Sequence, residues 1–297
     1  MSGLTLTPKV LFLALPLAIP AALWSGRVQQ LLPAHLQGYF SSTPAAPAPA
    51  TFRSALDPLP YNCDDHKYTT EIISLDPLVI YINNFTTKRE AEELVMLGEA
   101  DFEDSFISRD GTKHKVTGRT SSSAPLEPDL PLVTCILSRA RKFMGTMMQP
   151  WEPFSMPQLV RYYAGQKYDL HTDYWTSHQI MNDGSGRRFN RIASFFVFLK
   201  DNFTEGETIF PYVDVLDKDR ERGGDLEELF KGKVSRGMEK GEQKGVKFKP
   251  ITGNGIFWVN LDDKGVGDRR VIHGGLPVKD GVKIGMNIWP RKFYGGV

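Results

Sequence analysis

The stretch RIASFFVFLK, residues 191–200, contains the apolar run ASFFVFL, which is bounded by Arg191 and Lys200. Such a run is short for a globular helix, and its aromatic and β-branched residues favour a strand. Neighbouring side chains of a strand point to opposite faces, so a strand that is apolar at successive positions is buried on both. The stretch therefore predicts a central strand that is covered on both sides.

Short strand-like segments surround this stretch and are separated by Gly, Asn or Asp turns: MPQLVRYYA, ETIFPY, GVKFKP, GIFWVNL and GVKIGMNIW. Two helical patterns precede them. The first begins at a capping box, Thr87 to Glu90, and the second runs from about Leu130 to Met147 with one apolar stripe. This order predicts an α+β fold: a double-stranded β-helix (jelly roll) core with N-terminal flanking helices.

The overall charge excludes one class of function. The 297 residues carry a net charge of +1, whereas a nucleic-acid-binding protein normally shows a basic excess. Residues 214–250 are highly charged and poor in aromatic residues. They predict a solvated insertion with a short helix near Leu226 to Phe230, and a role as a lid is an alternative.

The amino terminus has the composition of a targeting segment. VLFLALPLAIPAALW, residues 10–24, carries no charge and has the length of a signal-peptide core. Residues 1–26 therefore predict a signal peptide or a signal anchor, with the anchor favoured. A Pro/Ala-rich stalk, 27–60, and a folded domain, 61–297, would follow it. This layout predicts a type II protein of the endoplasmic reticulum or secretory-pathway membrane with a lumenal domain, and secretion is the alternative.

Two weaker features agree with a lumenal location. Asn84-Phe-Thr86 and Asn202-Phe-Thr204 are glycosylation sequons. Cys63 and Cys135 are the only cysteines. They can form one disulfide in an oxidising lumen or remain two buried thiols, and the position of Cys135 on an apolar helix face favours the thiols.

The stretch YDLHTDYW, residues 168–175, carries the candidate chemistry. His171 and Asp173 stand two positions apart, which places both side chains on one face of an extended strand. The pair is a polar turn or part of a metal site. A second imidazole would complete a set of two His and one carboxylate, which suits non-haem Fe(II). Among the six His, His273 is the best partner, because a jelly roll can bring its distant segment opposite the first strand.

Lys283 lies in the apolar segment GVKIGMNIW, ten residues after His273. A buried Lys is unfavourable unless its charge is paired, and a metal-bound dicarboxylic acid could supply the partner. The alternative is a Lys that points to solvent from an edge strand. From this strand alone, the alternative is favoured.

Several motifs in order establish a resemblance: RTSSSAPL from Arg119, VRYYAGQKYDLHTDYW, NRIASFFVFLKDNFTEGETIFPY, GNGIFWVNL, Asp268 and HGGLPVKDGVKIGMNIWPR. Residues 155–292 resemble the catalytic domain of prolyl 4-hydroxylases, which are 2-oxoglutarate- and Fe(II)-dependent dioxygenases. The chain departs from the family at Leu276, where a Cys is frequent, and in its longer charged insertion. It also lacks an obvious peptide-binding domain like that of the animal collagen enzymes.

The resemblance implies a role for each matched residue. His171, Asp173 and His273 would bind Fe(II), and Lys283 would pair with the distal carboxylate of 2-oxoglutarate. The same carboxylate would accept a hydrogen bond from Tyr162, and Thr208 would line the pocket. The residues expected near the substrate proline are Tyr168, Arg119 and Trp289.

The resemblance also implies the reaction. Oxidative decarboxylation of 2-oxoglutarate by O2 would be coupled to hydroxylation of a proline-containing peptide, with ascorbate as a further cofactor. One alternative keeps the chemistry and replaces the substrate by a free amino acid or small natural product. Another, of a different class, is a non-catalytic jelly roll that binds a partner through its groove.

Overall fold

A computed structural model describes residues 63, 66–105, 107–109, 112–114, 118–215, 226–239 and 242–294. The predicted targeting segment and stalk lie outside these residues, and within them no helix has the length and apolarity needed to cross a membrane. The helices are α1 (Lys88–Gly98), α2 (Pro131–Met144) and α3 (Leu226–Leu229). The strands are β1 (Thr69–Leu75), β2 (Leu78–Asn83), β3 (Glu103–Asp104), β4 (Ile107–Arg109), β5 (Thr112–His114), β6 (Ser122–Pro125), β7 (Gln158–Tyr163), β8 (Tyr168–His171), β9 (Gln179–Ile180), β10 (Arg188–Arg191), β11 (Ala193–Lys200), β12 (Phe203–Glu205), β13 (Thr208–Phe210), β14 (Val234–Glu239), β15 (Glu242–Phe248), β16 (Gly255–Val259), β17 (His273–Gly275), β18 (Val278–Ile288) and β19 (Arg291–Tyr294).

Two sheets form the jelly roll. The large sheet has the strand order β1-β2-β16-β11-β18-β7-β6-β3, with β12 also paired to β18. The small sheet has the order β14-β15-β13-β17-β8. A three-stranded sheet of β19, β10 and β9 and the β4–β5 hairpin complete the described strands. The prediction of a jelly-roll core is confirmed.

The central strand β11 separates two apolar cores. Phe196 and Phe198 point into the core between the two sheets, whereas Phe195 and Val197 point into the core beneath the helices. β11 pairs with β16 on one side and β18 on the other, so its backbone hydrogen bonds are satisfied within the sheet. The strand is buried on both faces, as its sequence predicts.

The two helices cover the second face of the large sheet. Helix α1 begins at the predicted capping box: the Glu90 amide donates to Thr87 Oγ1, and the Thr87 amide donates to the Glu90 side chain. Glu90 also forms a buried ion pair with Arg139 of α2, at 2.8 Å. The apolar stripe predicted for α2 faces the sheet through Val133, Ile136 and Ala140.

The charged segment after Tyr212 differs from the solvated insertion predicted for it. The helix α3 lies where a short helix is expected, and β14 and β15 form a hairpin that extends the small sheet. The hairpin buries Val234, Val246 and Phe248. Lys247 and Lys249, which alternate with Val246 and Phe248, are more exposed. The strand expected at GVKFKP, residues 245–250, overlaps β15, whereas β14 lies in a stretch whose charged composition conceals a strand.

A disulfide joins Cys63 to Cys135 in α2, with the two Cα atoms 5.4 Å apart. The sequence favours two buried thiols, so the structure decides between the open alternatives in favour of the bridge. The bridge spans a sequence separation of 72 residues. It attaches the segment before β1 to the helical layer.

Opening this disulfide is expected to destabilise the domain. In the chain-entropy model, a loop of this length corresponds to about 4 kcal/mol of unfolding free energy, because the unfolded chain regains freedom. Cys63→Ser is therefore expected to lower the unfolding temperature by about 10 °C, measured by circular dichroism. Reductant should shift the wild-type protein by a similar amount and the variant very little. Equal unfolding temperatures for wild type and variant would contradict this prediction.

Candidate active site

A cavity of about 540 Å³ opens between the two sheets. One wall comes from β8, β13 and β17 of the small sheet, and the facing wall comes from β7 and β18 of the large sheet. Each residue assigned to the site by sequence lines this cavity: Arg119, Tyr162, Tyr168, His171, Asp173, Thr208, His273, Lys283 and Trp289. The fold therefore brings together residues that are separated by up to 170 positions.

The candidate metal ligands lie at one end of the cavity. His171 and His273 are direct cross-strand partners in β8 and β17, and their ring centroids are 4.4 Å apart. Strand β8 ends at His171, so Asp173 lies in the following bend and not on the strand itself. One donor atom from each of the three residues lies within 4.8 Å of the other two.

The imidazoles are held in the tautomer that a metal requires. His171 Nδ1 lies 2.8 Å from the Asp169 carbonyl oxygen, and His273 Nδ1 lies 3.1 Å from that of Val271. A carbonyl can only accept, so each Nδ1 carries the proton and each Nε2 keeps a free lone pair. The Nε2 atoms of His171 and His273 lie 3.6 and 3.8 Å from carboxylate oxygens of Asp173.

The charges of this cluster also suit a cation. Burial and the neighbouring His171 together lower the pKa of His273 to about 4, against the opposing effect of Asp173. Burial by itself would raise the pKa of Asp173, but His273, His171 and Arg191 hold it well below its ordinary range. The site thus presents two imidazole rings beside one ionised carboxylate, which is the donor set that non-haem Fe(II) prefers.

Lys283 lies at the other end of the cavity and is only 1% exposed. It is the cross-strand partner of Tyr162, and its Nζ lies 5.4 Å from the centre of the Tyr162 ring. The Lys283 Nζ donates a 2.7 Å hydrogen bond to the Gly206 carbonyl, but no described carboxylate lies within ion-pair distance of it. Burial lowers the pKa of Lys283 to about 7, and the charge of Glu207 opposes this shift. A dicarboxylate in the cavity would supply the missing counter-charge.

Two neighbours of Lys283 leave room for such a ligand. The buried Thr208 Oγ1 has no hydrogen-bond partner among the described residues. Gly275 has no side chain, and a Cβ atom built on it would lie 3.9 Å from both Lys283 Nζ and Tyr162 Cζ. Gly275 is the cross-strand partner of Thr208 and leaves space beside Lys283, so the cavity offers an amino group and a hydroxyl group that could bind the distal carboxylate of 2-oxoglutarate.

Gly275→Ala is expected to weaken 2-oxoglutarate use without disturbing the fold. The added methyl group makes only ordinary van der Waals contacts with the protein, because its nearest neighbour is the Tyr168 amide nitrogen at 3.8 Å. It would occupy space beside Lys283 that the carboxylate needs. The KM for 2-oxoglutarate should rise by about tenfold, the effect of roughly 1.4 kcal/mol, with an unchanged unfolding temperature. An unchanged KM would place the carboxylate elsewhere.

The residues predicted near the substrate line the same cavity. Tyr168 stacks on the His171 ring at 3.6 Å, and the Arg119 guanidinium lies over the Tyr168 ring at 4.7 Å. Trp289 Nε1 donates a 2.9 Å hydrogen bond to Asp173 Oδ2. Trp289 therefore contacts a candidate metal ligand in addition to lining the cavity.

Sequence reasoning missed Arg191 and the backbone contribution of Asp169. Arg191 lies 3.7 Å from the Trp289 ring centre and 4.4 Å from that of Trp175, and it donates to the Asp173 carbonyl at 3.1 Å. The sequence suggests no place in the site for Asp169. Its carboxylate does form an exposed ion pair with Lys167, but its backbone carbonyl accepts a hydrogen bond from His171 and orients that ring. Only the fold reveals such backbone contacts.

Comparison with known proteins shows which family the region around the site resembles. Residues 157–291 match the sequence profile of the 2OG-Fe(II) oxygenase superfamily, and this range contains all three candidate metal ligands and Lys283. This part of the chain is therefore similar to the 2OG-Fe(II) oxygenases. The donor set, the buried cation and the family match point to the same chemistry.

The chain is also similar to prolyl 4-hydroxylases. It is 28% identical to prolyl 4-hydroxylase 2 of Arabidopsis thaliana, over 73% of this chain and 68% of the relative. It is 27% identical to probable prolyl 4-hydroxylase 9 of the same plant, over 74% of this chain and 71% of the relative. The solved viral collagen prolyl hydroxylase of Paramecium Bursaria Chlorella virus-1 is 22% identical, with a TM-score of 0.49, over 78% of this chain and 99% of that one.

Proposed function

We propose that this oxygenase hydroxylates peptidyl proline at the 4-position. The observation that carries the proposal is the single cavity in which His171, Asp173 and His273 face Lys283, in a chain similar to plant prolyl 4-hydroxylases. The coupled reaction consumes O2 and 2-oxoglutarate. It releases carbon dioxide and places one oxygen atom in succinate and the other in hydroxyproline.

The protein supplies binding and orientation. His171, Asp173 and His273 would hold Fe(II), and Lys283, Tyr162 and Thr208 would bind the distal carboxylate of 2-oxoglutarate. When bound, the iron and cosubstrate supply the oxidant that converts C–H to C–OH. Phe196 and His273 line the cavity and are buried, so they restrict the access of water to the bound groups.

The aromatic part of the cavity wall suits a proline ring. Tyr168, Trp175 and Trp289 offer flat apolar faces, and Arg119 and Arg191 lie against them. Proline in a peptide is an apolar ring with no amide proton, so stacking on aromatic faces is its natural mode of binding. The two guanidinium groups can donate to the carbonyl oxygens that flank it.

The proposal is tested with the purified full chain, Fe(II), 2-oxoglutarate, ascorbate and proline-rich peptides. The expected result is peptide-dependent succinate and a peptide mass increase of one oxygen atom, with 4-hydroxyproline after hydrolysis. Lys283→Met is the matched negative control. Hydroxylation of free proline but of no peptide would replace the proposal by the small-molecule alternative.

A lumenal location and a requirement for ascorbate are further parts of the proposal. The Cys63–Cys135 disulfide supports an oxidising compartment, and Asn202 of the second sequon is exposed. The apolar residues 10–24 would direct the domain there and hold it at the membrane. In secretory cells, treatment with a glycosidase should increase the mobility of the wild-type protein and leave an Asn84→Gln/Asn202→Gln variant unchanged. Wild-type protein without glycans in the cytosol would overturn this location.

A further inference from the structure

The central strand β11 carries one polar side chain that its apolar sequence does not explain. Ser194 is completely buried, and its Oγ lies 2.8 Å from Asp173 Oδ2. Asn260 follows β16, is also completely buried, and its Nδ2 lies 2.9 Å from Ser194 Oγ. A serine and an asparagine thus form a chain that ends on a candidate metal ligand.

The direction of these hydrogen bonds follows from chemistry. An ionised carboxylate only accepts, so the single hydroxyl proton of Ser194 goes to Asp173. The Ser194 oxygen can then only accept, and its donor is the amide of Asn260. The backbone of Asn260 is fixed as well: its amide donates to the Ile192 carbonyl at 2.8 Å, and its carbonyl accepts from the Asp268 amide at 2.9 Å.

Both side-chain donors reach the same carboxylate oxygen. Ser194 Oγ and Trp289 Nε1 both donate to Asp173 Oδ2, at 2.8 and 2.9 Å. The other oxygen, Oδ1, accepts from neither donor and faces His171 Nε2 at 3.6 Å, while Oδ2 lies 3.8 Å from His273 Nε2. Two donors on one side prevent rotation of the carboxylate and leave Oδ1 available to a metal. Asp173 lies in a bend beyond β8, so the strand geometry of the small sheet does not orient it.

From this geometry we infer that Ser194 and Asn260 are positioning residues that orient the Asp173 carboxylate for metal binding through one oxygen. Ser194 acts directly on the carboxylate, and Asn260 acts through Ser194. The large sheet thereby fixes a ligand whose two partners belong to the small sheet. The inference depends on Asp173 as a metal ligand and is independent of the proposed peptide substrate.

The test measures metal binding without turnover. Metal-free full-length protein is titrated with Mn(II), and free Mn(II) is followed by electron paramagnetic resonance. Loss of a group that orients a ligand typically weakens metal binding by about 10–100-fold, so Ser194→Ala should raise the Mn(II) Kd within this range. Ser194→Cys keeps a weak donor and should lie between wild type and alanine. The buried Ser74, which lies in β1 away from the site, provides the control variant Ser74→Ala with an unchanged Kd.

A double-variant cycle separates positioning from general destabilisation. Asn260→Ala should weaken Mn(II) binding in the wild type but have no further effect in Ser194→Ala, because it acts through that hydroxyl. Additive effects would overturn the indirect role of Asn260. A Kd within about twofold of wild type in Ser194→Ala would overturn the inference, since orientation losses are expected to be larger. If Ser194→Ala does not fold, the same threshold applies to Ser194→Cys. Equal binding by wild type and Asp173→Ala would overturn it together with the ligand role of Asp173.

Discussion

His171→Ala is expected to remove most of the bound Fe(II) and to lower turnover by more than about 100-fold, since loss of even an outer-shell partner costs up to that much. The ring supplies one of only two imidazole nitrogens in the described cluster. Asp173 and His273 would then be the only two remaining candidate ligands of the described cluster. Iron per protein after anaerobic reconstitution and succinate formation are the measurements.

His178 provides the matched control. Like His171 it is half-buried, but it stacks on Tyr294 at 4.3 Å and does not line the cavity. His178→Ala should bind iron and turn over like the wild type. Equal iron content in His171→Ala and wild type would remove His171 from the metal site, whatever happens to the activity.

The sequence predicts the individual strands and helices of this fold better than it predicts which strands pair with each other. The apolar run in β11 and the capping box of α1 are local patterns, and both are found where expected. The pairing of β11 with β16 and β18 depends on distant segments, so it is not encoded in any short stretch. The strand β15 is predicted in part by the segment GVKFKP, residues 245–250, whereas β14 is not predicted, because its residues belong to a stretch of charged composition.

The site residues also divide into those that a local pattern predicts and those that only the fold brings together. His171 and Asp173 are two residues apart, and this spacing alone suggests a shared site. His273 can be selected only by assuming a jelly roll, and the role of Lys283 requires the family resemblance, because only the fold pairs β17 with β8 and β18 with β7. Ser194 does leave a sequence signal: a hydroxyl within a strand that is buried on both faces needs a partner. The identity of that partner is fixed only in three dimensions.

Lys283→Met is expected to abolish useful binding of 2-oxoglutarate while stabilising the protein. Truncating one partner of a buried charge pair costs about 2–5 kcal/mol, so the KM for 2-oxoglutarate should rise by at least about 30-fold. Lys279→Met is the control, because Lys279 lies on the same strand but is exposed. Initial rates at varied 2-oxoglutarate give the KM, and an unchanged value would exclude Lys283 as the carboxylate anchor.

The stabilisation has a defined pH window. Burial lowers the pKa of Lys283 from 10.5 to about 7, so between these values the unfolded chain binds more protons than the folded protein. Stability of the wild type therefore rises with pH across this window, and the destabilisation by Lys283 is complete only below about pH 7. At 1.36 kcal/mol per pH unit the full effect is about 5 kcal/mol. Lys283→Met should thus unfold at a higher temperature than wild type at pH 6, and the difference should shrink towards pH 10.

Saturating 2-oxoglutarate should stabilise only the wild type, because only there does it neutralise a buried charge. A variant that is less stable than wild type at pH 6 would show that the ammonium is already compensated within the protein.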